Sequence, residues 1–248
     1  MINCKKIFVL GCSFSHHDES TGPKSTWPAY IAKDNPEYFV VNGSIPGSSN
    51  DSYFYRYRQM CKVYGNPDLV LVQLTSLERM YHPVVKNHHD MIEFELLEEN
   101  YVHHANAGIK NIHEHLFLTH GVFWSKNKKE ICDRLQVSEL SFDDYLSAVF
   151  KNKHYLEMLT EKDLLLLKHR IKAPALYFTW EDGYLTPELL DIAASRYRAK
   201  CQLLDPIVPQ FTPKKLAEYS VDPHHHFNQH GHRAVADILD RAIKGFIE

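Results

Sequence analysis

The first apolar run of the chain ends in a turn of small residues that contains a serine. Residues 7–10 are followed at once by Gly11, Cys12 and Ser13, and then by polar residues. A serine hydroxyl at such a turn becomes a nucleophile when a neighbouring base removes its proton. The same turn can also be a plain corner between a strand and a loop, so both interpretations are open at this point.

Histidine, which can act as such a base, is abundant and clustered in this chain. There are 17 histidines, and some stand in the groups 16–17, 88–89, 103–104 and 224–226. Imidazole titrates near neutral pH and can take up and return a proton, and it is also a common metal ligand. Adjacent histidines point in different directions and make poor chelates. We therefore expect no metal site, although His16, His17 and Asp18 lie beside Ser13.

Alternating strands and helices must position these residues. Five apolar segments predict strands at 7–10, 38–41, 69–74, 175–180 and 201–205. The first has no polar alternation, as in a strand covered on both faces. Helices are predicted at 27–34, at 51–64 and, from a long apolar stripe, at 229–247. This order predicts a parallel, doubly wound sheet.

Residues 80–172 interrupt the alternation. They carry little strand signal, while segments 141–150 and 155–171 read as helices, the first with Ser141 as its cap. We therefore expect one domain over residues 1–248, in which residues 80–172 form a mostly helical insertion or lid.

Composition excludes several classes of protein. With a net charge of -3, the protein has no overall electrostatic attraction for nucleic acid or anionic lipid. The five cysteines are scattered without a CxxC pair, which argues against a disulfide framework or zinc knuckle. The lysines at positions 5 and 6 precede an apolar run that is too short for a signal peptide, and no stretch has transmembrane length. We expect a cytoplasmic protein without nucleic-acid or membrane partners.

Four polar motifs fall where the chemistry of a parallel sheet gathers. GCSFS, NGSIPGSSND and QLTSLER follow the first three strands, and DPHHHFNQHGH precedes the last helix. Because sites of such sheets form at the carboxyl ends of the strands, we expect these loops to converge on one edge.

This set of motifs resembles the SGNH/GDSL hydrolases, most of all the short members found in tailed-phage genomes. The first family block, Gly-Asp-Ser-x-Ser, matches residues 11–15, with Cys12 in place of the aspartate. The second, Asn-x-x-x-x-Gly, matches residues 42–47. The third, Gly-x-Asn, is missing, and Thr75 stands at its asparagine position. The last, Asp-x-x-His followed by Asn and Gly, corresponds to residues 222–231.

The resemblance implies a flavodoxin-like three-layer α/β/α fold with a parallel five-stranded sheet and a helical insertion. It makes Ser13 the nucleophile and Asp222 the carboxylate that orients a histidine base. Counting from Asp222 selects His225 as that base, whereas counting back from Asn228 selects His226. We favour His226, because an N-cap asparagine fixes the distance to the helix; His225 remains the alternative.

The resemblance also assigns binding groups. The backbone amides of Ser13 and Gly47 would stabilise the oxyanion, with a side-chain donor from Thr75 or, instead, Gln73. Asn50 either caps the second helix or contacts substrate. Arg79 could hold an anionic substrate group.

The function that follows is a serine esterase or acyl hydrolase without metal or organic cofactor. It would remove acetyl or other short acyl groups from a small-molecule or glycan ester by a Ser-His-Asp mechanism. Two alternatives stay open. One is a metal-dependent phosphoesterase or nucleotidase that uses the histidine clusters, and the other is a non-catalytic binding module on a decayed hydrolase fold.

Overall fold

A computed structural model gives the fold of most of the chain. The residues it describes are 5–16, 22–46, 48–77, 79–83, 94–104, 115–119, 129, 132–133, 136–195, 199–223 and 225–247. The strands are β1 (Lys5–Leu10), β2 (Tyr38–Asn42), β3 (Leu69–Leu74), β4 (Arg79–Pro83), β5 (Phe94–Glu98), β6 (Tyr101–His104), β7 (His115–Thr119), β8 (Ala175–Thr179) and β9 (Cys201–Leu203). The helices are α1 (Trp27–Asp34), α2 (Tyr53–Tyr64), α3 (Glu139–Lys151), α4 (Lys153–Arg170), α5 (Pro187–Ala194), α6 (Pro213–Tyr219) and α7 (Gln229–Ile247).

Seven of these strands form one sheet in the order β5-β6-β2-β1-β3-β8-β9. All neighbouring pairs are parallel except β5 and β6, which are antiparallel. The five strands predicted from the sequence are all present and parallel. The predicted strand count was wrong, because β6 and β5 extend the sheet beyond β2. β4 and β7 form a separate antiparallel pair.

The two faces of the sheet carry two separate cores. On β1, Ile7 and Val9 face one core, and Phe8 and Leu10 face the other. Helices α1 and α7 cover the first core, and α2, α4 and α5 cover the second. Because the central strands are buried on both faces, they are mostly apolar, and their buried polar residues, such as Asn42, Gln73 and Thr179, lie near their carboxyl ends. The result is three layers, with the sheet in the middle.

Local capping explains where two helices begin. The chain reaches α2 through a short 3-10 turn, Asn50–Ser52, so α2 begins at Tyr53 rather than at residue 51. Helix α3 begins at Glu139, because Ser138 Oγ accepts a hydrogen bond of 3.0 Å from the Ser141 backbone N–H. Ser138 is therefore the cap, in place of the predicted Ser141.

The segment 80–172 contains more than the helices that the sequence predicts. Four strands overlap it, and one of them, β5, is an exposed edge strand whose glutamates mask its strand pattern. Helix α4 also contributes Leu164 and Leu167 to the core beside β3 and β8. It therefore covers the main sheet as a crossover helix. None of the described helices is both long and apolar enough to cross a membrane.

Helix α7 provides a test of this packing. Leu239 is fully buried in the first core, whereas Arg241 on the same helix is exposed. We expect Leu239→Ala to lower the free energy of unfolding by about 2–5 kcal/mol, because it leaves a cavity. Arg241→Ala should change it by less than about 0.5 kcal/mol. Urea unfolding followed by circular dichroism measures both, and equal effects would contradict the described orientation of the helix.

Candidate active site

The turn after β1 presents Ser13 at the carboxyl edge of the sheet. Residues Ser13–Ser15 form one turn of 3-10 helix, in which the Ser15 N–H donates to the Cys12 carbonyl at 3.0 Å. The N–H of Ser13 belongs to the first residues of this turn, whose amides lack acceptors within the turn itself. Ser13 is partly exposed, while Cys12 and Ser15 are buried. The turn therefore offers a hydroxyl and an amide at one surface point.

A buried network holds this turn in place from below. Gln73 Oε1 accepts hydrogen bonds from Ser15 Oγ at 2.5 Å and from the Cys12 N–H at 3.3 Å. Trp27 Nε1 also donates to Ser15 Oγ, at 3.2 Å. A Cβ on Gly11 would lie 2.6 Å from Ser15 Oγ, so only glycine fits there. These contacts fix the turn to β3 and α1.

Arg56 ties the ends of β1 and β2 together. Its Nη1 donates to the carbonyl oxygens of Gly11 at 3.0 Å and Gly43 at 2.6 Å, and its Nη2 donates to Ser52 Oγ at 2.9 Å. The sequence analysis missed this residue. The available signal was its position on the apolar stripe of α2, where it is almost fully buried between Tyr53 and Met60. A buried guanidinium needs such a set of acceptors.

The loop before α7 is fixed by a cap and by an aromatic anchor. Asn228 Oδ1 accepts hydrogen bonds from the N–H groups of His230 at 2.9 Å and Gly231 at 3.1 Å, as expected for an N-cap. Phe227 is buried and packs against Trp180 and Phe211 at ring-centroid distances of 5.0 and 5.6 Å. The residue before Phe227 therefore has a fixed position.

That residue, His226, contacts Ser13. Its Nε2 lies 2.9 Å from Ser13 Oγ, and its Nδ1 lies 2.6 Å from Asp222 Oδ2. The His226 backbone N–H also donates to Asp222 Oδ1 at 3.2 Å. Because a carboxylate only accepts, Nδ1 carries the ring proton, which leaves Nε2 as an acceptor for the Ser13 hydroxyl. The arrangement can draw a proton from Ser13.

An aromatic stack supports the imidazole from the side. Phe14 stacks on the His226 ring at a centroid distance of 4.6 Å and on Trp180 at 4.9 Å. Trp180 Nε1 in turn donates to the His225 carbonyl at 3.1 Å. The ring that faces Ser13 is thus held by a carboxylate on one edge and by Phe14 on one face.

His225, the alternative base, faces elsewhere. Its Nδ1 lies 3.1 Å from Ser220 Oγ, and its backbone is left-handed, with φ of 56°. This conformation accommodates the extra residue between Asp222 and His226. The distance from the Asn228 cap was therefore the better guide to the histidine that lies beside Ser13.

The remaining sequence candidates lie apart from this contact or outside the described residues. Gly47 lies outside the described residues. The hydroxyl of Thr75 donates to Asn50 Oδ1 at 3.4 Å, and Asn50 Nδ2 donates to the Thr75 carbonyl at 2.9 Å. Gln73 Nε2 donates to Cys12 Sγ at 3.2 Å. The hydrogen bonds of Thr75, Asn50 and Gln73 thus join buried strand ends. Arg79 lines a cavity that is described below.

A second pair of histidines is buried next to the turn. The Nε2 atoms of His16 and His103 lie 3.0 Å apart, and both residues are at most 2% exposed. His17 and Asp18 lie outside the described residues. Within the described part of the chain, no three His, Cys, Asp or Glu side chains are grouped to hold a metal ion.

Comparison with known proteins gives distant structural likenesses. No protein-family model and no curated protein matches the chain. The psychrotrophic esterase EstA from Pseudoalteromonas sp. shares 12% identity at a TM-score of 0.47 over 98% of both chains. A two-domain esterase active on acetylated mannans shares 14% identity at a TM-score of 0.49, and the match covers 98% of this chain but 49% of that one. A carbohydrate esterase family 3 protein from Talaromyces cellulolyticus shares 10% identity at a TM-score of 0.46, again over 98% of both chains.

The chain thus spans about half the length of the two-domain esterase. At these identities and TM-scores, the likenesses establish neither a family nor an activity for this chain.

Glycine 231 provides a test of how the histidine loop is held. A Cβ on Gly231 would lie 2.7 Å from Cβ and Cγ of Phe227, whereas a Cβ on Gly245 of the same helix would have no neighbour within 4 Å among the described residues. We expect Gly231→Ala to cost about 1–3 kcal/mol of stability, because it overpacks the site. The substitution should also displace the loop. It should therefore lower kcat by about tenfold to a hundredfold on any ester that the protein hydrolyses.

The matched control is Gly245→Ala, which should raise stability by about 0.5–1 kcal/mol without loss of turnover. Thermal unfolding and steady-state kinetics on the two variants measure both effects. A fully active Gly231→Ala protein would show that the Phe227 contact does not position His226.

Proposed function

We propose that this chain is a serine ester hydrolase of the SGNH type. The observation that carries the proposal is the relay from Ser13 Oγ through His226 to Asp222, with distances of 2.9 and 2.6 Å. Three residue types that each have a role in acyl transfer meet here from opposite ends of the chain. A nucleophile, a base and an orienting carboxylate in hydrogen-bond reach form the arrangement that activates serine.

The reaction proceeds through an acyl-enzyme. Ser13 Oγ attacks the ester carbonyl carbon while His226 Nε2 takes the hydroxyl proton, and Asp222 stabilises the imidazolium that forms. Collapse of the tetrahedral intermediate breaks the bond to the alcohol, which leaves with the proton from His226. A water molecule then attacks the acyl group with His226 as base, which releases the acid and restores Ser13.

Backbone amides are the donors we assign to the oxyanion. The Ser13 N–H lies at the start of a helical turn, and the family resemblance assigns the second donor to the Gly47 amide. Thr75 and Gln73 are weaker candidates than the sequence suggests, because their side chains are buried in hydrogen bonds to Asn50, Cys12 and Ser15.

We infer a short acyl group, such as acetyl, on a polar alcohol such as a sugar. Phe14 covers one face of the His226 ring and Trp180 stacks on the Phe14 ring, which disfavours a long acyl chain on that side. We also propose that residues 80–172 are an insertion within one domain over residues 1–248, and that this insertion selects the alcohol. The cavity between its helices and the strand ends supports this assignment.

Kinetics of matched variants test the relay. Ser13→Ala removes the nucleophile, and His226→Asn removes the base. Each should lower kcat on p-nitrophenyl acetate by about a thousandfold or more, the scale known for such relays.

His225→Asn is the control, because asparagine tolerates the left-handed backbone of this position. It should keep kcat within about tenfold of the unsubstituted protein, since its ring points to Ser220 rather than to Ser13. A large loss in His225→Asn with normal turnover by His226→Asn would transfer the role of base to His225. Full activity of Ser13→Ala would rule out the mechanism.

A further inference from the structure

A cavity lies where the segment 80–172 meets the strand ends of the sheet. Its volume is about 210 Å³. Asn50, Leu77 and Arg79 line one part of it, and Tyr145 of α3 and Tyr155 of α4 line another. The proposed mechanism uses none of these side chains. The cavity therefore has walls both from the loops that follow β2 and β3 and from the segment that we assign to substrate selection.

Arg79 links this cavity to the Ser13 turn. Its guanidinium lies close to the side chain of Cys12, the residue that precedes Ser13. It is largely buried, and its Nη1 has no hydrogen-bond partner among the residues that the structure describes. A ligand on Arg79 would thus lie next to the proposed nucleophile.

Arg79 shares its cavity with two carboxylates, those of Asp51 and Asp163. A buried guanidinium nitrogen without a partner is costly, so an anion that accepts a hydrogen bond from Nη1 would be bound favourably. The planar guanidinium is suited to two-pronged binding of a carboxylate or phosphate.

The cavity also contains one lysine beside these carboxylates. Lys162 Nζ lies 3.4 Å from Asp163 Oδ1, so these two charges form their own pair. Burial raises the pKa of Asp163. Asp51 accepts a hydrogen bond from the Ser49 hydroxyl. The lining thus carries two basic and two acidic side chains, so an anion would be recognised through the unpartnered Nη1 atom of Arg79 and not through an overall positive charge.

We propose that Arg79 binds an anionic group of the substrate, so that the preferred substrates are esters of an acidic carrier. The carrier would bear a carboxylate or a phosphate in addition to the esterified hydroxyl. The Tyr145 and Tyr155 rings, together with Leu159, would contact its ring or carbon skeleton. This inference rests on the proposed ester hydrolysis and names the class of alcohol that it releases.

Matched acetyl esters test the preference. The probes are the acetyl esters of 4-hydroxybenzoate, of 4-hydroxyphenyl phosphate and of neutral 4-hydroxybenzamide. The unsubstituted protein should hydrolyse at least one anionic ester with a higher kcat/KM than the neutral ester, and the better anion identifies carboxylate or phosphate. In Arg79→Gln the ratio of anionic to neutral kcat/KM should fall by about tenfold to a hundredfold, mainly through KM, because a charge-assisted hydrogen bond is lost.

Arg58→Gln is the matched control. Arg58 is exposed on α2 and does not line the cavity, so this variant removes the same charge elsewhere and should keep the ratio. Arg79→Lys should retain part of the preference, since lysine keeps the positive charge but lacks the planar pair of N–H donors that binds an anion through two hydrogen bonds. An equal loss on all three esters in Arg79→Gln, or no preference for either anion in the unsubstituted protein, would overturn the inference.

Binding without turnover separates this inference from the proposed function. Titration calorimetry should show 4-hydroxybenzoate or 4-hydroxyphenyl phosphate binding to Ser13→Ala but at least tenfold more weakly to Ser13→Ala/Arg79→Gln. Anion binding in a protein that hydrolyses no ester would end the esterase proposal and keep the anion site. Hydrolysis of the neutral ester without Arg79-dependent anion binding would keep the esterase proposal and end the anion site.

Discussion

The hydrogen bond between Ser13 and His226 joins two loops that lie 213 residues apart in the chain. Such a contact survives only if both loops are fixed independently of each other. The Ser13 turn is fixed by Gln73 and by the hydrogen bonds that Arg56 donates to carbonyl groups at the ends of β1 and β2. The His226 loop is fixed by the Asn228 cap and by the buried Phe227 ring. The parallel sheet supplies the shared frame, because its strands end at the same edge.

Much of the fold could be predicted from local sequence. Residues 7–10 before Ser13 are all apolar because alternate side chains, such as Ile7 and Phe8, enter different cores, and the apolar stripe on α7 indicated a helix that covers one face. The edge strand β5 could not be recognised, because half-exposed strands with glutamates lack a clear pattern. Strand β6 is only four residues long, and it is recognisable as a strand only through its pairing with β2, which the local sequence does not reveal.

The arrangement of the site was predictable where a local rule fixed a distance. The cap at Asn228 selected His226 over His225, and the structure places His226 beside Ser13. The roles of Thr75 and Gln73 were less predictable, since each finds its partners on elements distant in sequence. The Arg56 clamp could have been suspected from a charge on an apolar stripe, but its acceptors are carbonyl groups that no side-chain pattern reveals.

The central claim is that Ser13 is the activated nucleophile of this relay. Labelling with a fluorophosphonate followed by peptide mapping tests it directly, because the reagent modifies a serine only where a base activates it. The account predicts one phosphonylated residue, Ser13, and no labelling of the His226→Asn protein. Stoichiometric modification at another serine, or undiminished labelling of Ser13→Ala, would contradict it.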